Sequence, residues 1–431
     1  MLNLESIANE SVDGLTKGLP PGMAPIRLAA IGAQGWHLLR GDLPFPQAVI
    51  RDSALAHNHK WMRDFTNATG VLLAPHGKTT MAPQIFAQQL VAGAWGITVA
   101  TVQQLEVCVR FGVRRVLMAN QLLGGPAVSE VVRLRERHPD LEFHFLIDSE
   151  AQLRLVEAEA RQHPMTRRLT ALLELGIPAG RTGCRSVGQA LSLARAIAAS
   201  TFVDLAGIEC YEGLQITGDS ARDAEFVGGL MRAVKDLALA CDREKLYAGP
   251  AIILSAGGSA AFDIVARELP MQLSLPVQTI LRSGCYVTHD SGFYNRMLER
   301  VKARSGSAWQ SREGLRPALE VWAQVQSRPE PGLALLTMGK RDASFDLDLP
   351  IVMWHFRSAG SVLPRASPPD WKISAMNDQH AYLRIPDDAD LEVGDLVGSG
   401  ISHPCTTFDK WRLVLTVADD YRITGAIRTF F

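Results

Sequence analysis

The sequence lacks long apolar runs, paired cysteine motifs and an excess of either charge. Its 431 residues include 44 Lys and Arg against 45 Asp and Glu, which gives a formal net charge of -1. A balance so close to zero gives no electrostatic reason to expect nucleic acid or an anionic membrane as a partner. Neither a signal peptide nor an apolar segment of membrane-spanning length is visible. We therefore expect a cytoplasmic globular protein.

The six cysteines are scattered along the chain and form no CxxC pair. Scattered thiols are typical of a reduced protein rather than of a disulfide framework. Five of them stand among apolar or small residues, where cysteine commonly serves as a core residue. Cys405 differs, because His403 stands two positions before it.

Short apolar runs alternate with amphipathic helical segments between about residues 45 and 290. Eight such runs follow residue 71, namely VLLAP, GITVAT, RVLMAN, FHFLID, TALLEL, LAGIECY, AIILSAG and VQTIL. Continuous apolar strands are typical of a parallel sheet that is buried on both faces. Eight strands, each followed by a helix, favour an α/β fold of the (β/α)8 TIM-type barrel kind. The alternative is an open, doubly wound sheet.

The pattern changes after about residue 300, where Gly, Pro and Asp punctuate short alternating runs such as IVMWHF, AYLRI and RLVLTVA. This pattern predicts a smaller, mainly antiparallel β domain over residues 315-431. The barrel domain is predicted over residues 45-295. Residues 1-44 fit neither pattern, and we interpret them as a helical N-terminal lead-in.

Polar residues follow several predicted barrel strands, at the end where barrel enzymes carry their active sites. His76 and Lys78 follow the first strand, Arg181 lies in the loop after the fifth, and Tyr211 follows the sixth. The seventh strand leads into Gly257, Gly258 and Ser259. We expect a helix to begin there, and the free N–H groups at its start would suit a phosphate. Taken alone, each feature has a simpler interpretation. Lys78 could be a solvated loop residue, and the glycine turn could be an ordinary helix cap.

Together these residues indicate a cofactor site. A lysine that is desolvated inside such a mouth presents a neutral amine, which can bond covalently to an aldehyde. A phosphate cradle beside such a lysine is what pyridoxal 5'-phosphate (PLP) requires. The prediction depends on the coincidence of these residues at one end of one barrel.

His403 and Cys405 form a second constellation, in the segment SHPCTT at 402-407. Residues two apart on an extended segment point to the same face, and Pro404 favours extension there. An imidazole and a thiolate suit Zn²⁺, although catalytic zinc usually has three protein ligands. We expect any further ligand to be substrate, water or a residue that the sequence does not identify.

Two other pairs look like ligands and receive a simpler interpretation. His57 and His59 belong to an amphipathic, charged helical segment, where we expect them to be solvated. Asp346 and Asp348, in FDLDLP, have the context of an ordinary turn.

These motifs resemble the PLP-dependent enzymes of alanine-racemase-type barrel fold, in the D-threonine aldolase and D-serine dehydratase group. The resemblance covers about residues 40-431. It is carried by PHGKT at 75-79, GRTG at 180-183, SAGGS at 255-259, RSGCY at 282-286, NDQH at 377-380, VGD at 393-395 and SHPCTT at 402-407.

The resemblance implies roles for individual residues. Lys78 would hold PLP and then remove the substrate's α-proton, with His76 as a second catalytic residue. His403 and Cys405 would bind a divalent metal, and two copies of the chain would form a homodimer. The other implied cofactor contacts are a ring contact by Arg181, a contact by Tyr211, and phosphate binding by Gly257, Gly258, Ser259, Gly284 and Tyr286.

The resemblance also leaves the reaction open between two chemistries. Aldolases of the group tend to carry a carboxylate two residues after the metal-binding histidine, whereas dehydratases tend to carry a cysteine, which favours zinc. Cys405 therefore predicts a dehydratase of small 3-hydroxy D-amino acids, such as D-serine, D-threonine or 3-hydroxy-D-aspartate. The alternatives are a D-threonine aldolase, a non-catalytic PLP carrier, and a metal hydrolase without PLP.

Overall fold

The first 51 residues form short elements and one longer strand. The computed structural model describes residues 2–304, 313–358 and 361–431. The elements are helix α1 (Glu5–Ala8), strands β1 (Ser11–Val12) and β2 (Ile26–Arg27), 3-10 helices Leu28–Ala33 and Leu38–Arg40, and strand β3 (Gln47–Arg51). Apolar side chains of the lead-in, including Ile31 and Leu38, pack with Trp322 and Leu415. The lead-in therefore packs mainly on the antiparallel domain, and its helices are short.

The eight apolar runs after residue 71 form the parallel sheet that the sequence predicts. Its strands are β4 (Leu72–Leu73), β5 (Ile97–Val99), β6 (Arg115–Gln121), β7 (Glu142–Ile147), β8 (Leu169–Glu174), β9 (Val203–Glu209), β10 (Ile252–Ala256) and β11 (Val277–Leu281). The strand order is β4-β11-β10-β9-β8-β7-β6-β5. The two end strands meet, because Trp95 N donates to Leu73 O at 2.7 Å and Thr98 N to Pro75 O at 2.9 Å. The sheet is thus a barrel, and the open-sheet alternative is wrong.

A helix follows every strand of the barrel. These are α3 (Pro83–Val91), α4 (Val102–Arg110), α5 (Gly125–Arg137), α6 (Glu150–Ala160), α7 (Val187–Ala198), α8 (Ser220–Arg243), α9 (Phe262–Glu268) and α10 (Phe293–Arg304), preceded in the chain by α2 (Asp52–Thr69). In the described residues, no helix is long and apolar enough to cross a membrane.

The apolar runs of the barrel strands are explained by burial on both faces. Side chains alternate along a strand, so Leu146 points inward while Phe145 and Ile147 pack in the larger core beneath the helices. Each strand or its flank contributes one side chain to the inner cluster, namely Ala74, Trp95, Leu117, Leu146, Leu172, Ala206, Ile253 and Ile280. This filled interior leaves polar residues to gather at the carboxyl ends of the strands.

The second domain is antiparallel, as predicted. Its strands are β12 (Leu319–Glu330), β13 (Leu333–Leu336), β14 (Ile351–Phe356), β15 (Arg365–Ala366), β16 (Lys372–Met376), β17 (Ala381–Arg384), β18 (Leu396–Gly400), β19 (Leu413–Val417) and β20 (Ile423–Arg428), with helix α11 (Cys405–Phe408) before β19. Strand β3 lies beside β12 and β19 in this sheet. The run at 47–51, which stands inside the predicted barrel range, is therefore a strand of the antiparallel sheet.

Candidate active site

A cavity of about 500 Å³ opens at the carboxyl ends of the barrel strands, a size suited to a cofactor with a small substrate. Both domains contribute to it. From the barrel come His76, Lys78, Thr79, Arg181, Glu209, Tyr211, Gly258, Ser259, Arg282, Gly284, Cys285, Phe293 and Tyr294, and from the antiparallel domain Leu347, His403 and Cys405. Most predicted site residues therefore meet in one cavity.

Lys78 lies in a short 3-10 turn, Gly77–Thr79, directly after β4. The tight packing of Gly284 against this turn fixes its position, because an added Cβ there would lie 2.7 Å from His76 O and from Thr79 Oγ1. The Lys78 side chain is exposed within the cavity mouth. The expectation that the protein alone desolvates this lysine is therefore wrong, because the walls of the open mouth leave it in contact with solvent.

His76 is held neutral beside this lysine. Burial, together with the positive charges of Lys78, Arg282 and Arg181, keeps the pKa of His76 well below its ordinary value. Its Nδ1 atom is buried and has no hydrogen-bond partner. A neutral imidazole with an unpaired ring nitrogen can accept a hydrogen bond from a ligand in the cavity or donate one to it.

An ion pair between Glu209 and Arg282 forms the floor of the cavity. Both side chains are almost completely buried, and Arg282 also donates to Ser255 Oγ at 2.8 Å and to Cys210 O at 3.0 Å. Burial raises the pKa of Glu209 to about 7, although Arg282 opposes the shift. Glu209 Oε2 has no partner, so the floor presents an unpaired carboxylate oxygen. The sequence places both residues at strand ends, but it does not indicate that they pair.

Arg181 lies over the ring of Tyr211, with its guanidinium carbon 5.3 Å from the ring centre. This contact is within the usual range of a cation–π interaction. The two residues come from different strand ends, as predicted, and together they form one wall of the cavity.

The glycine turn at 257-259 differs from its prediction in two ways. The following helix begins at Phe262 rather than at the turn, and the N–H groups of Gly257 and Gly258 already donate to the Glu212 carboxylate, at 3.1 and 2.7 Å. An anion at this turn would have to displace Glu212 or use the neighbouring groups of Ser259. The turn nevertheless binds a carboxylate, which is direct evidence that its backbone donors suit a negative charge.

Tyr286 and Gly257 lie behind the cavity surface. Tyr286 is buried and packs edge-on against His59, with 6.2 Å between ring centres. Its side chain does not line the cavity, unlike that of its neighbour Cys285. The predicted phosphate contact of Tyr286 is therefore without geometric support.

His403 and Cys405, the predicted metal-binding pair, are brought together by a tight turn and not by an extended segment. His403 has a φ of 68°, in the left-handed region, and Pro404 is already helical, so α11 begins at Cys405. The backbone N–H of His403 donates to Asp290 Oδ2 at 3.0 Å, which fixes this conformation from the barrel. The prediction of extension from Pro404 is therefore wrong.

Asp346 orients the His403 ring. Its Oδ2 lies 2.5 Å from His403 Nδ1, and its Oδ1 accepts a hydrogen bond from Thr406 Oγ1 at 2.7 Å. Burial alone would lower the pKa of His403, but Cys405 and Asp346 raise it to about 9. The interpretation of Asp346 as an ordinary turn residue is wrong, because the chain folds back to the histidine 57 positions later. The prediction that His59 is solvated is also wrong, since its side chain is buried.

The Cys405 thiol lies among three polar groups. Its sulfur is 3.7 Å from Cys285 Sγ and 3.5 Å from Thr79 Oγ1, and it also contacts His403. Hydrogen bonds from Cys285 and His403 hold the pKa of Cys405 well below its ordinary value, despite burial. Within residues 2–304, 313–358 and 361–431, no three His, Cys, Asp or Glu side chains are already arranged around a cation position.

Comparison with known proteins finds relatives of this chain. Residues 318–417 match the model of a putative serine dehydratase domain. D-threonine aldolase of an Arthrobacter species is 23% identical over 425 residues, 96% of each chain. The chain is thus similar to a D-threonine aldolase over most of its length and to a serine dehydratase domain over part of it. D-threo-3-hydroxyaspartate dehydratase of Delftia sp. (strain HT23) is 32% identical over 120 residues, 28% of this chain and 31% of that one.

Solved structures of similar proteins share the fold. D-threonine aldolase from Filomicrobium marinum has a TM-score of 0.75 at 21% identity, covering 94% of this chain and 98% of that one. A cysteine-to-alanine variant of D-threo-3-hydroxyaspartate dehydratase, in its metal-free form, has a TM-score of 0.70 at 22% identity, covering 92% and 99%. These structures therefore share the barrel and the antiparallel second domain of this chain.

Proposed function

We propose that the protein is a PLP- and metal-dependent dehydratase of 3-hydroxy D-amino acids, which releases a 2-oxo acid and ammonia. The observation that carries the proposal is the convergence of Lys78, from the barrel, and the pair His403 and Cys405, from the second domain, on one cavity. A carrier of PLP has no use for soft metal ligands facing the cofactor position. This convergence also argues against a PLP-free hydrolase, which would not need the lysine.

The residues of the cavity fit PLP by their unpaired polar atoms. His76 Nδ1 and Glu209 Oε2 are buried in residues that line the cavity and have no partner. Buried polar groups normally have a hydrogen-bond partner, and bound PLP would supply one. Lys78 would hold the cofactor aldehyde, and Arg181, Tyr211, Ser259 and Gly284 would surround it. When bound, PLP supplies an electron sink for the negative charge that develops on the substrate Cα.

The donors around Cys405 fit a divalent metal. A thiolate with an imidazole oriented by a carboxylate is a combination that favours zinc. His403 and Cys405 would hold such an ion, which would supply Lewis acidity to the substrate's β-hydroxyl, otherwise a poor leaving group.

Side chains at the two ends of the cavity have different roles, proton transfer at one end and positioning of the metal ligands at the other. Lys78, once the substrate amine has replaced it at the cofactor aldehyde, would take the proton from Cα through its freed Nζ atom. Asp346 keeps the His403 ring in one orientation, and Asp290 holds the backbone of that turn. The unsaturated amino acid formed by loss of water is hydrolysed to the 2-oxo acid and ammonia.

The second candidate is retro-aldol cleavage of D-threonine or a relative to glycine and an aldehyde. It is favoured by the full-length similarity to a D-threonine aldolase. The same cofactor and the same cavity would serve, but a base would remove the β-hydroxyl proton and the Cα–Cβ bond would break. Cys405, where the group's aldolases tend to carry a carboxylate, favours dehydration.

One experiment separates the two reactions. Purified, metal-replete protein is incubated with D-threonine, and 2-oxobutanoate, ammonia, glycine and acetaldehyde are quantified, with and without chelation and with Lys78→Ala. We expect 2-oxobutanoate and ammonia, lost on chelation and in the variant. Glycine and acetaldehyde would overturn the dehydratase proposal in favour of the aldolase. We further propose a homodimer, which light scattering of the purified protein would test.

A further inference from the structure

Two thiols from different domains meet at one side of the cavity. Cys285 follows the last barrel strand, Cys405 begins α11 of the antiparallel domain, and their sulfur atoms are 3.7 Å apart. Both residues line the cavity together with His403 and Tyr294. Cys285 was interpreted from sequence as a core cysteine, and a purely structural cysteine has no need to face this space.

The separation of the two sulfur atoms matches a shared metal ion. Two sulfur ligands, each about 2.3 Å from one tetrahedral zinc ion, lie about 3.8 Å apart. A disulfide would bring them to about 2.05 Å. The observed 3.7 Å, which is the length of a thiol–thiol hydrogen bond in the absence of metal, is close to one edge of a zinc coordination tetrahedron.

His403 can supply the third corner. Its Nδ1 atom is occupied by Asp346 at 2.5 Å, which leaves Nε2 for a metal, as in the usual carboxylate–histidine–metal arrangement. His403 also contacts Cys405 directly. The three side chains do not yet surround a cation position, so the His403 ring must rotate to close the group when the ion binds, while the two sulfur atoms keep about their present separation.

The geometry points to Cys285 as a third protein ligand, which completes a His403–Cys405–Cys285 zinc site. This inference rests on the proposed function and deepens it, because three protein ligands with one open position are typical of catalytic zinc. The open position would receive the β-oxygen of the substrate. Two thiolates would also make the site selective for zinc over magnesium or manganese.

Cobalt substitution tests the assignment without relying on activity. Co²⁺ is added to metal-free, PLP-containing wild type, Cys285→Ser and, as a matched control, Cys241→Ser, whose thiol is buried in α8 outside the cavity. We expect thiolate-to-cobalt charge-transfer absorbance in the wild type and the control, and about half of it in Cys285→Ser, since one of two sulfur ligands is gone. Zinc affinity, measured by competition with a chromophoric chelator, should fall at least about tenfold.

Full charge-transfer intensity and unchanged zinc affinity in Cys285→Ser would overturn the inference. Should that variant fail to fold, X-ray absorption of the zinc-loaded wild type decides the question, with two sulfur neighbours supporting it and one refuting it. Cobalt bound by two thiolates in a protein that converts no D-hydroxyamino acid would leave the ligand assignment standing and overturn the proposed function. A wild type that turns over D-threonine but binds no cobalt or zinc would overturn the metal site alone.

Discussion

The buried pair of Glu209 and Arg282 offers a quantitative test of the electrostatics at the cavity floor. The perturbation is Arg282→Met, made in the wild type and in a Glu209→Gln background. Methionine fills much of the arginine volume but removes the positive charge and its hydrogen bonds to Ser255 and Cys210. Comparison of the two backgrounds isolates the part of the loss that belongs to the ion pair.

The magnitude follows from the pKa of Glu209, which burial raises to about 7. A carboxyl group with a raised folded-state pKa favours the native state at low pH, and this contribution is lost as the pH rises through the folded pKa. In the wild type the loss ends near pH 7, where Glu209 ionises beside Arg282. Without Arg282 the group stays protonated, so the free energy of unfolding keeps falling by about 1.4 kcal/mol per pH unit. The extra destabilisation between pH 7 and 9 is thus about 2.7 kcal/mol.

Urea unfolding of cofactor-free protein, followed by circular dichroism at pH 6, 7, 8 and 9, measures this effect. Removal of PLP matters, because a ligand that binds only the native state would add its own stabilisation. In the Glu209→Gln background the cost of Arg282→Met should not depend on pH. An equal cost at pH 6 and pH 9 in the wild-type background would refute the reasoning, since Glu209 would then keep its charge without Arg282.

Three further predictions concern other parts of the molecule. Burial lowers the pKa of His59 to about 4. The free energy of unfolding of the wild type should therefore fall by about 3 kcal/mol between pH 6.5 and 4, because protonation of the histidine favours the unfolded state. Urea unfolding of His59→Gln over the same pH range should lack this loss. Gly284→Ala places a Cβ against the Lys78 turn and should weaken PLP binding, followed by cofactor absorbance, at least about tenfold, whereas Gly188→Ala, in open space on α7, should bind normally. Asp346→Asn should lower zinc affinity about 10- to 100-fold, and Asp370→Asn, an exposed aspartate that serves as the control, should change it little. Equal effects would contradict an orienting role for Asp346.

The sequence predicts the barrel well because its signal is local. The run FHFLID at 143-148 is almost continuously apolar, as expected of a strand that is buried on both faces of a sheet. Six consecutive residues are enough to show this pattern. The same reasoning cannot assign a run to one sheet or another. Gln47–Arg51 has the same apolar character, yet it pairs with β12 and β19.

The candidate site is predictable where one residue follows one strand. His76, Lys78, Arg181 and Tyr211 are identified in this way, because the carboxyl ends of parallel strands converge in any barrel. Local signals fail where a distant contact decides the conformation. Pro404 favours an extended backbone, but the hydrogen bond from His403 N to Asp290 imposes a turn.

What the sequence alone determined is therefore the two-domain architecture, the position of Lys78 after the first barrel strand and the residue types available for chemistry. Only the tertiary structure decided which of these groups share an environment. Glu212 occupies the N–H groups of the glycine turn, Asp346 orients His403 from 57 positions away, and Cys285 meets Cys405 across 120 positions. Backbone pattern is set by neighbours in the chain, whereas a pKa or a ligand set depends on charges and donors a few ångströms away in space.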